Sequence, residues 1–340
     1  MLNIEENKPL FAYTTFNIGG LASYFVEIKD EYEAKEVVTW AKHKELDILI
    51  IGKGSNMLLP DIGFSGLAIK NSIKGIKEEK LNDGSIILEA GAGEDWNDLV
   101  KYSLDKNYWG LENLYYIPGS VGAAPVQNIG AYGVELKDVF YSLSAIDLKT
   151  LEKKIFKPYE CDFSYRSSIF KKQFKDRYLI TSVKFKLSLD SRPKLDYGSL
   201  RGDIDKDVYD LKPEDVANAI KKVRQSKLPN PEEWGNSGSF FQNPEISLED
   251  FKVLKDKFPD IKYYELGDGM IKVPAGWLIE KSGWKGRSLG PAGVWEKQAL
   301  IIINLGGAKA KDILKLANTI SKDVKEKFNI DLVPEVNIYE

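Results

Sequence analysis

The sequence predicts an α+β protein built from more than one structural unit. Three observations carry that expectation. The chain has 340 residues, too many for one simple layer and enough for two or three small domains. Helix-period and strand-like runs alternate in its first part, and a mostly β pattern follows from about residue 75 to 190.

Taken in order, residues 31–44 predict a helix, with Ala34, Val37, Val38 and Ala41 on one face. The run Leu46–Ile51 predicts a buried strand, cut off by Gly52-Lys53-Gly54-Ser55-Asn56. A turn over Asp61–Gly66 and a strand over Leu67–Lys70 come next. Strands are then expected at Ser85–Glu89, Ser142–Asp147 and Leu179–Leu187. Among them lies one helix near 95–105, with Trp96, Leu99, Val100, Ser103 and Leu104 at helical spacing.

Ser191–Asp210 has few apolar residues and several turn formers, so it predicts a loop. Pro213 suits the first turn of a helix running to about Lys227, with Val216, Ala219, Ile220 and Val223 as its stripe. Leu228-Pro229-Asn230-Pro231 ends that helix and marks a domain boundary. Residues 232–306 are glycine- and tryptophan-rich and predict α/β structure. A long helix over 308–328 has Ile313, Leu316, Ala317, Ile320, Val324 and Phe328 in register, and leads to a terminal strand over Leu332–Tyr339.

Composition removes several function classes. A net charge of -3 leaves no basic surplus for neutralising a nucleic-acid backbone. The single cysteine, Cys161, rules out an internal disulfide and suits a reducing compartment. The single histidine, His43, lies in a charged helical stretch, so histidine triads and histidine-rich metal sites are not expected. The start, MLNIEENKPLF, lacks a basic end followed by an apolar stretch, and no window approaches the ~20 apolar residues that span a bilayer. A cytoplasmic monomer with no membrane or nucleic-acid partner and no metal is therefore expected.

Two glycine-rich loops draw attention to an anion. One is Gly52–Asn56, directly after the apolar strand. The other runs Ile117-Pro118-Gly119-Ser120-Val121-Gly122-Ala123-Ala124-Pro125-Val126-Gln127-Asn128-Ile129-Gly130-Ala131-Tyr132-Gly133. Glycines let successive backbone amides form an anion-binding concavity. Ser55, Asn56, Ser120, Gln127 and Asn128 could add side-chain hydrogen bonds to a pyrophosphate or a heteroaromatic ring. Neither loop is a Rossmann or Walker motif, and Trp96 stands where Gly91-Ala92-Gly93 would need its third glycine. Turns between strands explain such loops about as well as phosphate binding does.

The second loop resembles a stretch of the UDP-N-acetylenolpyruvoylglucosamine reductases, the MurB family. So do Tyr165-Arg166-Ser167-Ser168, Gly238-Ser239-Phe240-Phe241-Gln242-Asn243-Pro244, Pro334-Glu335-Val336 and the opening Tyr13-Thr14-Thr15-Phe16-Asn17-Ile18-Gly19-Gly20. They occur in family order from about residue 13 to the C-terminus. Gln242 departs from the pattern, standing where a lysine is common.

The resemblance implies a vanillyl-alcohol-oxidase type FAD-binding fold. Its two subdomains, 1–70 and 71–228, would be followed by a substrate domain over 229–328, and residues 329–340 would return to the first subdomain. It implies non-covalent FAD, since His43 is outside the flavin loops, and NADPH as electron donor. Gly52, Lys53, Gly54, Ser55, Asn56, Gly119, Ser120, Gly122, Gln127, Asn128, Gly130, Tyr132 and Arg224 would hold the cofactor. Arg166 and Glu335 would stabilise charge on the enolpyruvyl carboxylate, and Ser239 would supply a proton. Tyr197, Lys227, Asn243 and Gln298 would hold the sugar nucleotide, Tyr197 in a loop that closes over it. A flavin-dependent alcohol oxidase on the same fold, or a flavin-fold binding protein without turnover, remain the alternatives.

Overall fold

The architecture comes from a computed structural model that describes residues 3–190, 192–196, 200–267 and 269–339. The chain forms two compact units, one of Met1–Lys8, Leu21–Gly54 and Phe64–Arg224, the other of Pro9–Gly20, Ser55–Gly63 and Gln225–Glu340. Residues 9–20 and 55–63, from the first expected segment, thus group with the C-terminal part.

The first unit opens with a four-stranded sheet in the order Glu5–Pro9, Leu21–Ile28, Phe64–Asn71, Ile48–Ile51. Leu21–Ile28 and Ile48–Ile51 both run parallel to Phe64–Asn71. Helix α1 (Glu31–His43) buries the expected Ala34, Val37, Val38 and Ala41 against Val26, Ile28, Leu67 and Ile69. It starts where Asp30 accepts a hydrogen bond from the Glu33 amide at 2.8 Å, a cap of about 1 kcal/mol.

The second sheet of this unit has five strands in the order Lys153–Phe156, Phe140–Asp147, Tyr178–Leu187, Ile86–Gly91, Ile76–Lys80, with all four pairings antiparallel. Helix α2 (Trp96–Asp105) buries all five residues its periodicity picks out. The Trp96 ring meets Phe185 edge-on at 5.8 Å, and its indole donates to the Leu114 carbonyl at 2.8 Å. That satisfied donor is what lets so large a polar-tipped ring be fully buried.

Within these two sheets, four strands escaped the periodicity: Glu5–Pro9, Leu21–Ile28, Ile76–Lys80 and Lys153–Phe156. Two of them, IKEEK and KKIF, are edges of the five-stranded sheet, where charge protects an open strand and hides its alternation. The stretch expected as a loop over 191–210 contains short 3-10 turns at Leu200–Asp203 and Val208–Asp210. It also buries Leu195, Leu200 and Ile204 against Trp109 and helix α3 (Pro213–Lys227). On α3, Val216 and Ile220 are buried as expected. The third fully buried apolar position on its stripe is Ala217, while Ala219 and Val223 are only half-buried.

The second unit holds a four-stranded sheet, Gly235–Ser239, Ile301–Asn304, Ala292–Val294, Ser288–Leu289, and a three-stranded one, Glu245–Ser247, Met270–Lys272, Tyr264–Gly267. Helices α4 (Leu248–Lys257), α5 (Ala275–Lys281) and α6 (Ala310–Phe328) complete it. All six residues expected on the inner face of α6 are buried. They share a core with Phe240, Phe241, Leu278 and Ile302. The terminal strand is shorter than the sequence suggests: only Asn337–Ile338 pairs as a strand, in parallel with Met57–Leu58.

Cys161 is buried in the first unit, and burial pushes its thiol up to about 12. A thiol so shifted has almost no thiolate at pH 8.5, where a free cysteine is about half ionised. The native protein is therefore expected to take up no alkylating reagent at that pH, and one equivalent once unfolded. Rapid labelling of native protein, read by intact mass, would contradict the burial.

Candidate active site

Within the first unit, the Gly52–Gly54 part of the first glycine-rich loop neighbours the second loop. Strand Ile48–Ile51 delivers Gly52, and a Cβ at that position would overlap the Ser120 hydroxyl of the second loop. Only glycine allows that approach. Lys70, half-buried on the adjacent strand, donates from Nζ to the Gly52 carbonyl. Burial pulls the Lys70 ammonium below the ordinary lysine range, and Lys53 and Lys74 add to the effect. Lys53 is paired with Asp95, whose other oxygen caps α2 by accepting from the Asn97 and Asp98 amides at 2.7 and 3.1 Å.

The second loop lies along the turn that leads into α2. The Trp96 amide donates to Gly119, the Val121 amide to Glu94 and the Gly122 amide to Ala92, at 3.1, 2.9 and 2.8 Å. Trp96, which spoils a Rossmann reading of Gly91-Ala92-Gly93, is thus a core anchor beneath this loop. Asn128 is fully buried. Its Nδ2 donates to the Glu135 carboxylate and the Ser164 carbonyl, both at 3.1 Å, and its Oδ1 accepts from the Lys137 amide at 3.0 Å. Those three bonds make Asn128 a brace of the loop. Gln127 is half-buried beside it.

Further along the same unit, Gly130, Tyr132, Arg166 and Arg224 come together. Arg166 adopts a left-handed backbone, φ 50°. Its Nη2 donates to the Gly130 carbonyl at 2.6 Å, and its guanidinium sits 5.3 Å from the Tyr165 ring centre. Arg224 is half-buried near the end of α3, and its Nε donates to the Tyr116 carbonyl at 3.1 Å. Burial holds its guanidinium below the ordinary arginine range. The Tyr132 hydroxyl, which accepts a hydrogen bond from it, works the other way, while the Arg166 charge adds to the depression. The two guanidinium groups feel each other, a concentration of positive charge suited to an anion.

The second unit carries the remaining candidates. Ser239 ends strand Gly235–Ser239, whose pairing with Ile301–Asn304 is bulged between Asn236 and Ser239. Gly238 sits at φ 71°, with its amide on the Asn236 Oδ1 at 2.9 Å. A bulge re-aims a side chain: Ser239 is exposed while Phe240 and Phe241 beside it are buried. The opening Thr14–Asn17 stretch braces the same strand. The Asn236 amide donates to Thr15 at 2.9 Å, the Thr15 hydroxyl to the Asn236 carbonyl at 2.5 Å, and the Asn304 amide group to Phe16 at 3.0 Å.

Glu335 is half-buried next to this strand, its amide donating to the Phe240 carbonyl at 2.8 Å. The Asn56 side chain donates to the Glu335 carbonyl at 3.4 Å. Ser239, Glu335 and Asn56, far apart in sequence, are therefore gathered on neighbouring backbone. Ser55 precedes Asn56 and is half-buried. Asn243 Oδ1 accepts from the Ala275 amide at the start of α5, at 2.9 Å. A Cβ on the next residue, Gly276, would come 3.0 Å from Gln298 Oε1, so Asn243 and Gln298 flank the same helix start. Lys227 is exposed, and its carbonyl accepts from the Trp295 indole at 2.9 Å. Tyr197 lies outside the described residues.

Lys70 and Trp295 were not singled out from sequence, because nothing local marks a strand lysine or a turn tryptophan as the partner of a distant carbonyl. Among the described residues, no group of three or more His, Cys, Asp or Glu side chains could hold a metal ion. Among the described residues, no helix is long and apolar enough to cross a membrane. His43 is exposed in the last turn of α1.

Adjacent glycine loops backed by lysine, with the half-buried Arg224 on the same unit, are a donor set that fits the diphosphate of a dinucleotide. Residues 22–150 match the family described as "FAD binding domain", which makes the first unit that of an FAD-dependent flavoprotein. Residues 230–339 match the C-terminal domain of UDP-N-acetylenolpyruvoylglucosamine reductase. The reductase of that name from Flavobacterium johnsoniae is 43% identical over 99% of this chain and 100% of its own length. That from Bdellovibrio bacteriovorus is 42% identical over 98% of this chain and 99% of its own. The chain belongs to the UDP-N-acetylenolpyruvoylglucosamine reductase family. The crystal structure of the Thermus caldophilus reductase, 23% identical, shares the fold with a TM-score of 0.68 over 100% of this chain and 99% of that one.

Proposed function

We propose that this chain catalyses the NADPH-dependent, FAD-mediated reduction of UDP-N-acetylglucosamine enolpyruvate to UDP-N-acetylmuramate, a step of peptidoglycan precursor synthesis. The observation that carries the reading is Ser239, turned outward by a bulge beside the Glu335 backbone, within a segment matched by the reductase C-terminal domain. When bound, FAD accepts a hydride from NADPH and supplies it from N5 to the substrate.

The carbon–carbon double bond takes one hydride and one proton, and becomes the lactyl ether. An enol ether is electron-rich, so hydride addition needs its conjugated carboxylate polarised. Arg166 does this with a guanidinium fixed by the Gly130 carbonyl, so its orientation is set before substrate arrives. Glu335 shares that task, for which it must be protonated or share a proton, since an ionised carboxylate would repel the substrate anion. Ser239 gives its hydroxyl proton to the carbon next to the one that receives hydride. Its exposure lets solvent restore that proton after turnover.

Gly52, Lys53, Gly54, Ser55, Asn56, Gly119, Ser120, Gly122, Gln127, Asn128, Gly130, Tyr132 and Arg224 hold FAD non-covalently, and Asn128 also braces their loop. Lys227, Asn243, Gln298 and Tyr197 hold the sugar nucleotide. The protein works as a cytoplasmic monomer.

The test is a visible absorption spectrum followed through two additions. The purified protein is expected to be yellow, to bleach with NADPH in the absence of oxygen, and to regain colour with the enolpyruvyl sugar nucleotide. Recovery with air alone would make it an oxidase on the same fold. A protein that takes up no FAD would end the reading.

A further inference from the structure

A buried amide ties the second glycine-rich loop to the segment that follows the five-stranded sheet. Asn113 is wholly buried, in the turn Glu112–Leu114. Its Nδ2 donates to the Tyr132 carbonyl and to the Lys194 carbonyl, both at 2.9 Å. Both of its N–H groups are thereby used, and two carbonyl acceptors settle which end of the amide is nitrogen. Its Oδ1 is buried with no partner. A buried acceptor without a partner is destabilising, so packing alone would favour an apolar side chain here. What the amide contributes is its two donated bonds.

Both acceptors sit where the backbone needs holding. Tyr132 is left-handed at φ 49°, a conformation that side-chain-bearing residues seldom adopt. Lys194 precedes Leu195, which is buried with Trp109, Leu200 and Ile220 in the cluster against which Tyr132 packs. The far end of the same tyrosine carries the chemistry, because its hydroxyl accepts a hydrogen bond from Arg224. A phenol ring is rigid from Cβ to oxygen. A small tilt of its backbone therefore moves the hydroxyl away from the guanidinium.

We propose that Asn113 is a positioning residue for FAD: by clamping the Tyr132 and Lys194 carbonyls, it keeps the Tyr132 hydroxyl on Arg224 and that guanidinium in one orientation for the cofactor's diphosphate. The inference rests on the reading of Arg224 as a diphosphate ligand.

The test is a double-mutant cycle on FAD affinity, read by quenching of flavin fluorescence as deflavinated protein is titrated. Asn113→Asp keeps the shape but puts oxygen where both donors were. Tyr132→Phe removes the hydroxyl alone. Each is expected to weaken FAD binding about tenfold, the scale of one hydrogen bond to a charged group. The double variant is expected to lose about tenfold as well, not the roughly hundredfold of independent sites. Unchanged affinity in a folded Asn113→Asp variant, or multiplicative losses, would overturn the proposal and leave Asn113 a structural amide. If Asn113→Asp does not fold, Asn113→Leu takes its place in the cycle. Failure of the underlying reading shows elsewhere, as an Arg224→Ala protein that binds FAD as tightly as the wild type.

Discussion

Ser239→Ala is expected to slow reduction of the enolpyruvyl substrate by about 10²–10⁴-fold, the range for loss of a positioned acid, while NADPH reduces the bound FAD at its normal rate. The asymmetry follows from where Ser239 stands. Its hydroxyl is exposed at the end of its strand, so its removal opens no cavity. The elements that shape the bulge are Gly238, at φ 71°, and the Asn236 side chain on its amide, and both stay in place. The core beneath is held by the Phe240 and Phe241 rings, 5.1 Å apart. A loss confined to one half-reaction is therefore a loss of chemistry, not of fold. Stopped-flow absorbance of the flavin reads each half separately. Normal recovery of colour with substrate in Ser239→Ala would remove Ser239 as the proton donor. Slow bleaching by NADPH as well would mean that the substitution had disturbed the site generally.

How much of this was visible in the amino-acid sequence depends on how far apart the cooperating residues lie. Helices α2 and α6 were legible to the residue, since their buried faces follow a 3.6-residue period that needs no partner to be recognised. Ile76–Lys80 was not, because an edge strand with four exposed residues in five carries no apolar alternation. In the site, the glycine loops announced themselves, but their adjacency did not. The overlap a Cβ on Gly52 would make with Ser120 joins positions that only the tertiary fold brings together. The bracing of that loop by Asn128 was hidden for the same reason, since its bonds to Glu135, Ser164 and Lys137 exist only in the fold. The opening Thr14–Asn17 motif gave no hint of its purpose either, which is to clamp the strand that ends in Ser239.

Arg166→Ala is expected to cut the rate of substrate reduction by about 10²–10³-fold, the scale of removing one preorganised donor from a developing anion, with FAD retained. Retention is the discriminating part. Arg166 raises the electrostatic cost of the Arg224 charge rather than supporting it, so its removal does not weaken the arginine assigned to the cofactor. Nor does it change the backbone strain, because alanine at φ 50° is no freer than arginine. Arg166→Lys should recover only part of the rate. One ammonium is a point charge, and it cannot reproduce the planar fork that bonds the Gly130 carbonyl at 2.6 Å while presenting its other N–H groups to a carboxylate. The expected order of rates is thus wild type, Lys, Ala, at nearly constant flavin content. A variant that purifies without flavin would instead make Arg166 a residue of the loop's architecture, and the carboxylate would have to find its positive charge elsewhere.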